Sequence, residues 1–204
     1  MRVALMIEGQ EGVTWQQWCA LADACEQHGV ETLFRSDHYI SQGAEATNVA
    51  HDAWTTLAGL AARTTALRLG TLVSPATFRA PALLANAAAT VDHISGGRVE
   101  LGIGAGWMER EHRAYGFPFP DTPTRVAMFR EQLEIVHRLW TEERVDFHGE
   151  HYTLEDAPAQ PKPCSSRIRP SSSAAAASAG RSSPPCASRT STTSCSRRRT
   201  SSRA

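Results

Sequence analysis

Short apolar runs alternate with amphipathic stretches four times within the first 140 residues, and this alternation restricts the fold more than any other feature. Thr14 and Asp52 are placed to cap the first two helices, and Pro81 suits the first turn of the third. Strands that alternate with helices form a parallel sheet. The predicted strands are 3–7, which we expect to be buried on both faces, 32–34, 67–73 and 98–103.

The alternation stops after four strand–helix units. A Gly- and Pro-rich loop separates the fourth strand from a helix predicted at 124–140, and a hairpin is predicted at 145–153. Four units are half of a (β/α)8 TIM barrel, which takes about 250 residues. The sequence therefore predicts an α/β fold that contains the N-terminal half of such a barrel, over residues 1–163.

The composition changes abruptly at Cys164. The last 41 residues contain 14 Ser, 8 Arg and 7 Ala, and no Asp, Glu or Lys. Residues 1–163 hold 13 Lys and Arg against 21 Asp and Glu, a net charge of −8, which the tail balances with +8. A segment with so little apolar surface does not offset the entropy lost on ordering. We expect an acidic folded body at 1–163 and a disordered basic tail at 164–204.

Composition also argues against several classes of protein. No run approaches the roughly 20 apolar residues of a membrane helix, and the chain does not open on a signal-peptide pattern. The five cysteines lack the spacing of a metal site or a disulfide framework, so we expect a cytoplasmic protein without a metal. The arginines of the tail have no interleaved aromatic residues to stack bases, and we expect no nucleic-acid partner.

Candidate chemistry falls where the predicted strands end, because the working groups of a barrel gather there. The features are Glu8-Gly9, Asp37-His38, Val73-Ser74-Pro75 and the glycine series at 102–107. The series has GxGxG spacing, which differs from the dinucleotide-binding GxGxxG. Taken alone, an Asp-His pair is also typical of a solvated loop, and a glycine series is also typical of tight backbone packing.

Three segments together resemble a known family: GTLVSPATFRAP, TVDHISGGRVELGIGAGWMEREHRAYGFPFP and VDFHGEHYTLEDAPAQPKP. They resemble the bacterial luciferase-like superfamily, and within it the oxidoreductases that use coenzyme F420, a deazaflavin. The resemblance covers residues 1–163 almost continuously. It implies a TIM barrel that binds the deazaflavin at its C-terminal face and transfers a hydride to or from a small-molecule substrate. An FMN-dependent monooxygenase on the same fold stays open as an alternative.

The resemblance also implies roles for individual residues. It places Asp37 and His38 beside the cofactor ring as catalytic residues, with the histidine in proton transfer, a task that suits an imidazole because its unperturbed pKa is about 6.5. It implies a non-prolyl cis peptide behind the ring, within Leu72, Val73 and Ser74. The loop after the fourth strand would approach the cofactor through four residues: Gly104, Ala105, Gly106 and Trp107.

One position departs from the family pattern. The sugar-phosphate dehydrogenases of the family carry a glutamate where Trp107 stands, and an indole does not exchange protons in its place. The departure argues against sugar-phosphate dehydrogenase activity. Glu109 and Glu111 lie close by, but at a helix start we expect them to be surface charges favoured by the helix dipole.

The resemblance ends abruptly at Pro163, and a change of reading frame explains the end. With codons typical of a GC-rich gene, a one-base shift turns 164–179 into VQQPHPPVVIGGGGKR, a strand followed by a glycine turn of the kind that binds phosphate at a helix start. We therefore expect the tail to be a frameshift product and the chain to be truncated. Four units leave two open sheet edges, so a second alternative is a non-catalytic half-barrel that pairs with itself, as a homodimer, or with another half-barrel.

Sequencing the gene across codon 163 checks the frameshift. We expect a missing or an extra base there, since a correction restores a barrel-like continuation. An unchanged frame would contradict the expectation and leave the half-barrel as the encoded product.

Overall fold

The computed structural model describes residues 3–43 and 50–164, together with the backbone of residues 171–172. The elements in chain order are β1 (Ala4–Ile7), α1 (Trp15–Gln27), β2 (Thr32–Arg35), α2 (Ala53–Arg63), β3 (Arg68–Pro75), α3 (Pro81–Ser95), β4 (Val99–Gly104), α4 (Glu109–Tyr115), α5 (Thr122–Thr141), β5 (Arg144–His148), β6 (Thr153–Pro158) and β7 (Ser171–Ser172). One sheet has the order β1-β2-β3-β4-β7, and β5 and β6 form a separate two-stranded sheet.

The first four strands pair in parallel and in the order of the chain, as the alternation predicts. Ala4 lies opposite Thr32, Thr32 opposite Arg68, and Leu69 opposite Val99. A helix follows each of the first three strands, and two helices follow the fourth. The half-barrel arrangement of four strand–helix units is therefore confirmed.

The first strand differs from its prediction. Ala4 is exposed, and Leu5, Met6 and Ile7 are only partly buried, so the expectation of burial on both faces is wrong. In the described part of the chain β1 pairs with β2 alone, which leaves its second edge without a neighbouring strand. Its apolar composition is that of an inner barrel strand, but its burial is that of an edge.

The helix starts are determined by side-chain caps. Thr14 accepts a hydrogen bond from the Gln17 N–H while the Gln17 side chain accepts from the Thr14 N–H, which completes a capping box. Asp52 accepts from the Thr55 N–H at 2.8 Å and caps α2. Both predicted caps are confirmed. The Gly- and Pro-rich region read as a loop contains the short helix α4, and α5 begins at Thr122, two residues before the prediction.

The predicted hairpin is confirmed as β5 and β6, which pair antiparallel, but its second strand begins at Thr153 and runs to Pro158 instead of ending at Thr153. The fifth strand of the main sheet falls in the segment assigned to the tail: residues 171–172 pair in parallel with Gly102 and Ile103 of β4. Residues 165–170 and 173–204 lie outside the described residues. Disorder of the tail therefore stays a prediction.

The core lies between the sheet and the helices. One apolar row crosses the sheet in register through Leu5, Leu33, Leu69 and Val99, because each residue is the pairing partner of the next. Helices α2, α3 and α5 pack beside one another and contribute further apolar side chains. The large apolar side chains of the whole core that are fully buried include Trp18, Leu57, Leu60, Leu84, Leu101, Ile103 and Ile135.

Arg98, in the turn between α3 and β4, joins three elements at the amino end of the sheet. Its guanidinium donates to the carbonyl oxygens of Ala61 and Thr64, both at 2.8 Å, and of Leu67 and Ser95. Ala61 and Thr64 lie at the end of α2, where the last carbonyl groups have no donor within the helix, and the guanidinium satisfies them. A planar fork with five donors fits this task, whereas the point charge of a lysine does not.

We expect Arg98→Lys to lower the free energy of unfolding by about 2–3 kcal/mol, since hydrogen bonds from a charged donor to several partly buried carbonyls are lost. Urea denaturation measures the change. Arg68→Lys is the matched control, because Arg68 pairs with Glu100 nearer the surface and its loss should cost about 1 kcal/mol or less. Equal costs for the two variants would contradict the role given to Arg98.

Candidate active site

A cavity of about 260 Å³ opens at the carboxyl ends of β1 to β4. Residues at the carboxyl end of each of the four strands, or directly after it, contribute to the wall, as expected where parallel strands end at a common edge. The lining residues are Met6, Glu8, Ser36, His38, Gln42, Leu72, Val73, Pro75, Gly104, Ala105, Gly106 and Trp107.

The structure brings seven of the nine predicted site residues to this cavity: His38, Leu72, Val73, Gly104, Ala105, Gly106 and Trp107. Asp37 and Ser74 lie behind the wall instead. Both are buried, and the Ser74 hydroxyl donates to Asp37 Oδ2 at 2.7 Å. The Trp54 indole N–H in turn donates to Ser74 Oγ at 3.1 Å. Asp37 therefore shares a polar cluster beneath the site, and its predicted catalytic role stays a prediction.

The wall contributed by β3 is irregular. The peptide bond between Leu72 and Val73 is cis, and the pairing register of β3 with β4 shifts between Thr71 and Ser74. The non-prolyl cis peptide expected within residues 72–74 is thus present. The Leu72 side chain is 40% exposed at the cavity.

The wall contributed by the loop after β4 requires a glycine. Gly106 has φ of +81°, and a Cβ there would lie 2.7 Å from Thr77 Oγ1. Because L-residues with side chains rarely adopt this conformation, glycine is the residue that permits the loop to turn beside the cavity. Trp107 follows directly and is 51% exposed.

His38 is held from two directions. Its Nδ1 lies 2.7 Å from Glu111 Oε2, and its ring meets the Trp107 indole edge to face with centroids 5.8 Å apart. The ring of Phe78 makes a second edge contact at 6.4 Å. The histidine therefore lines the cavity with a defined orientation.

Glu111 corrects a prediction from the sequence. It is fully buried, whereas we expected a surface charge at a helix start. Besides His38, it accepts hydrogen bonds from the backbone N–H groups of Tyr39 and Ile40. Glu109 does behave as expected: it is exposed and pairs with Arg113 at 2.8 Å. The difference arises because Glu111 lies on the face of α4 that packs against the loop after β2.

Arg79 balances the charge beneath the site. Its guanidinium donates to both oxygens of Asp37, at 2.6 and 3.2 Å, and to Asp52 Oδ2 at 2.7 Å. The Tyr39 hydroxyl donates to Asp52 and accepts from Arg79, and burial raises the pKa of Tyr39. Burial alone would raise the pKa of Asp52, but hydrogen bonds from Thr55 and the charge of Arg79 hold it at about 2. The Asp52 carboxylate thus stays ionised at neutral pH.

Arg79 and Glu111 are the site residues that sequence reasoning missed. Arg79 lies in the segment GTLVSPATFRAP that carries the resemblance, but nothing local marks it as a partner of Asp37. A weak signal exists for Glu111: it stands three residues after Met108, which is buried, and residues three apart lie on the same face of a helix. Among the described residues no group of three His, Cys, Asp or Glu side chains is placed to hold a metal.

Comparison with known proteins agrees with this architecture. The model of the luciferase-like monooxygenase family matches residues 2–184. The chain belongs to this family. The match runs past residue 163, where the sequence resemblance was seen to end, and so it includes part of the segment assigned to the tail.

Several relatives match about two thirds of the chain. An F420-dependent glucose-6-phosphate dehydrogenase of Kineococcus radiotolerans is 40% identical over 144 residues, which are 68% of this chain and 42% of that protein. The enzyme of the same name from Mycobacterium avium is 39% identical over 67% of this chain and 41% of its own length. The chain therefore spans about two-fifths of the length of these relatives.

Solved structures show the same fold. A monooxygenase from Streptomyces bottropensis superposes with a TM-score of 0.71 at 28% identity, over 83% of this chain and 52% of that one. An F420-dependent secondary alcohol dehydrogenase, in complex with an F420-acetone adduct, superposes with a TM-score of 0.70 at 23% identity, over 79% and 49%. This chain covers about half of each of these structures, which confirms the prediction of half of a TIM barrel of luciferase-like type. No helix among the described residues is long and apolar enough to span a membrane.

We expect Arg79→Leu to destabilise this family member by about 3–5 kcal/mol, because the Asp37 carboxylate, 1% exposed, would lose its charge partner. Urea denaturation at pH 7 measures the loss. Arg63→Leu is the control, since Arg63 forms an exposed pair with Asp23 that should contribute about 0.2–1 kcal/mol. A cost for Arg79→Leu no larger than that of the control would refute the assignment.

Proposed function

We propose that this chain forms the cofactor-contacting half of an oxidoreductase that transfers a hydride between coenzyme F420 and a small organic substrate. One observation carries the proposal: His38 and two large, half-exposed apolar side chains, Leu72 and Trp107, meet in one cavity at the carboxyl edge of the sheet. An ionisable group beside open apolar walls is the usual composition of a ligand site. The names of the relatives, which are F420-dependent, support the choice of cofactor.

The residues present fit a flat, largely apolar ring system. Leu72 and Val73 provide an aliphatic wall, and the glycine loop at 104–106 provides backbone without side-chain bulk. These residues, with Ala105 and Trp107, would hold the deazaflavin. When bound, the deazaflavin supplies or accepts the hydride.

His38 would move the proton that accompanies the hydride. Oxidation of an alcohol releases a hydride from carbon and a proton from the hydroxyl, and the reverse reaction consumes both. An imidazole at the cavity wall takes the proton in one direction and returns it in the other. Trp107 would close the cavity beside it by packing and does not exchange protons.

The substrate is proposed to differ from that of the relatives. They are named for glucose 6-phosphate. The chain carries an indole at position 107, where the family resemblance implies a glutamate for a sugar-phosphate dehydrogenase. The apolar exposed surface of Leu72 and Trp107 favours a less polar substrate. The reading-frame change near codon 163 belongs to the same proposal, because its correction would restore a glycine turn for the cofactor phosphate.

Cofactor titration tests the proposal. We expect the chain with its frame restored to bind F420 in preference to FMN, with binding measured by fluorescence or calorimetry. Gly106→Ala should weaken binding at least about tenfold, because the added methyl group meets Thr77 and displaces the loop. Gly29→Ala is the control: Gly29 also has positive φ, at +70°, but has open space around it and follows α1 at the other end of the sheet.

The outcomes separate the alternatives. Binding of FMN without F420 would replace the cofactor and favour a monooxygenase, which the structural relative from Streptomyces bottropensis already makes the second candidate. Binding of neither cofactor, together with a dimer in sedimentation, would favour the non-catalytic half-barrel. Equal losses for Gly106→Ala and Gly29→Ala would show that the glycine loop is not part of the cofactor site.

A further inference from the structure

Glu111 presents both of its oxygens to fixed partners. Oε1 accepts from the backbone N–H groups of Tyr39 and Ile40, and Oε2 lies 2.7 Å from Nδ1 of His38. The carboxylate is fully buried, so these three contacts replace its water. Backbone N–H groups have no alternative role, and Oε1 is therefore committed as an acceptor.

His112, the histidine next to Glu111 on α4, does not compete with His38 for the carboxylate. His112 directs Nδ1 to the carbonyl oxygen of Met108 at 2.8 Å and Nε2 to the hydroxyl of Thr77 at 2.6 Å. Burial lowers the pKa of His112, which favours the neutral ring. The Glu111 carboxylate therefore contacts the imidazole of His38 and not that of His112.

We infer that Glu111 is the positioning residue of the site: it holds His38 in the Nδ1–H tautomer and leaves Nε2 as a proton acceptor toward the cavity. An ionised carboxylate has no proton to give, so Nδ1 must donate to it, and a neutral imidazole that donates through one nitrogen accepts through the other. When Nε2 takes a proton, the same carboxylate stabilises the imidazolium. This inference rests on the proposed function, in which His38 exchanges a proton with substrate.

The variant Glu111→Gln makes an opposite prediction for the tautomer. Tyr39 and Ile40 still need an acceptor, so the amide oxygen of the glutamine turns toward them and its NH2 group points at Nδ1 of His38. Nδ1 then has to accept, and the ring proton moves to Nε2. The charge is lost, the shape is kept, and the acceptor at the cavity disappears.

Ring 15N chemical shifts of His38, measured by NMR on the chain as it exists at pH 9, read the tautomer directly. We expect Nδ1–H in the natural chain and Nε2–H in Glu111→Gln, with the signals assigned by their loss in His38→Asn. Glu109→Gln is the control on the same helix; its partner is Arg113 at the surface, and it should leave the tautomer unchanged. An Nε2–H tautomer in the natural chain would overturn the inference even where the variant does not fold.

The NMR measurement needs no cofactor, so it separates this inference from the proposed function. If F420 does not bind but His38 is in the Nδ1–H form, the function fails and the positioning role stands. Where F420 does bind, we expect Glu111→Gln to lower the turnover about 10–100-fold, as is usual when an orienting partner is removed, with cofactor affinity unchanged. Unchanged turnover together with a reversed tautomer would overturn the role in proton transfer.

Discussion

The parallel register of the first four strands is the constraint on which the site depends. Because β1 to β4 run in one direction and pair in chain order, the residues that follow them arrive at one edge. His38, Leu72 and Trp107 are separated by tens of residues in the sequence but line the same cavity. A slip of one residue in any pairing would turn the side chains of that strand to the other face of the sheet, and they would no longer line the cavity.

Two buried acids lie next to this edge, and the structure neutralises them by different means. Asp37 pairs with the guanidinium of Arg79, which it shares with Asp52, and its side chain is thereby a fixed part of the scaffold. Glu111 contacts two backbone N–H groups and an imidazole, and within the described part of the chain it forms no ion pair with a lysine or an arginine. Glu111 is therefore placed to stabilise the imidazole of His38 when it gains a proton, whereas the Asp37 carboxylate is already paired with a guanidinium.

The elements could be predicted from the sequence where local chemistry decides them. Caps at Thr14 and Asp52, the apolar runs of the strands and the helical spacing of α3 are all visible within about ten residues, and the structure has them. The exposure of β1 and the burial of Glu111 could not be predicted in this way, because each depends on what another segment brings beside it. Glu109 and Glu111 have the same local setting and opposite environments.

The order of the strands has a consequence for how the chain acquires its structure. Ala4 meets Thr32, Thr32 meets Arg68, and Leu69 meets Val99, so each new pairing closes a loop of roughly 30 residues onto a strand that is already in place. Contacts of such short range form quickly compared with a contact between the ends of a long chain. The four strands are thus able to assemble in sequence during synthesis, and the edge that lines the cavity is in place once β4 and α4 have left the ribosome.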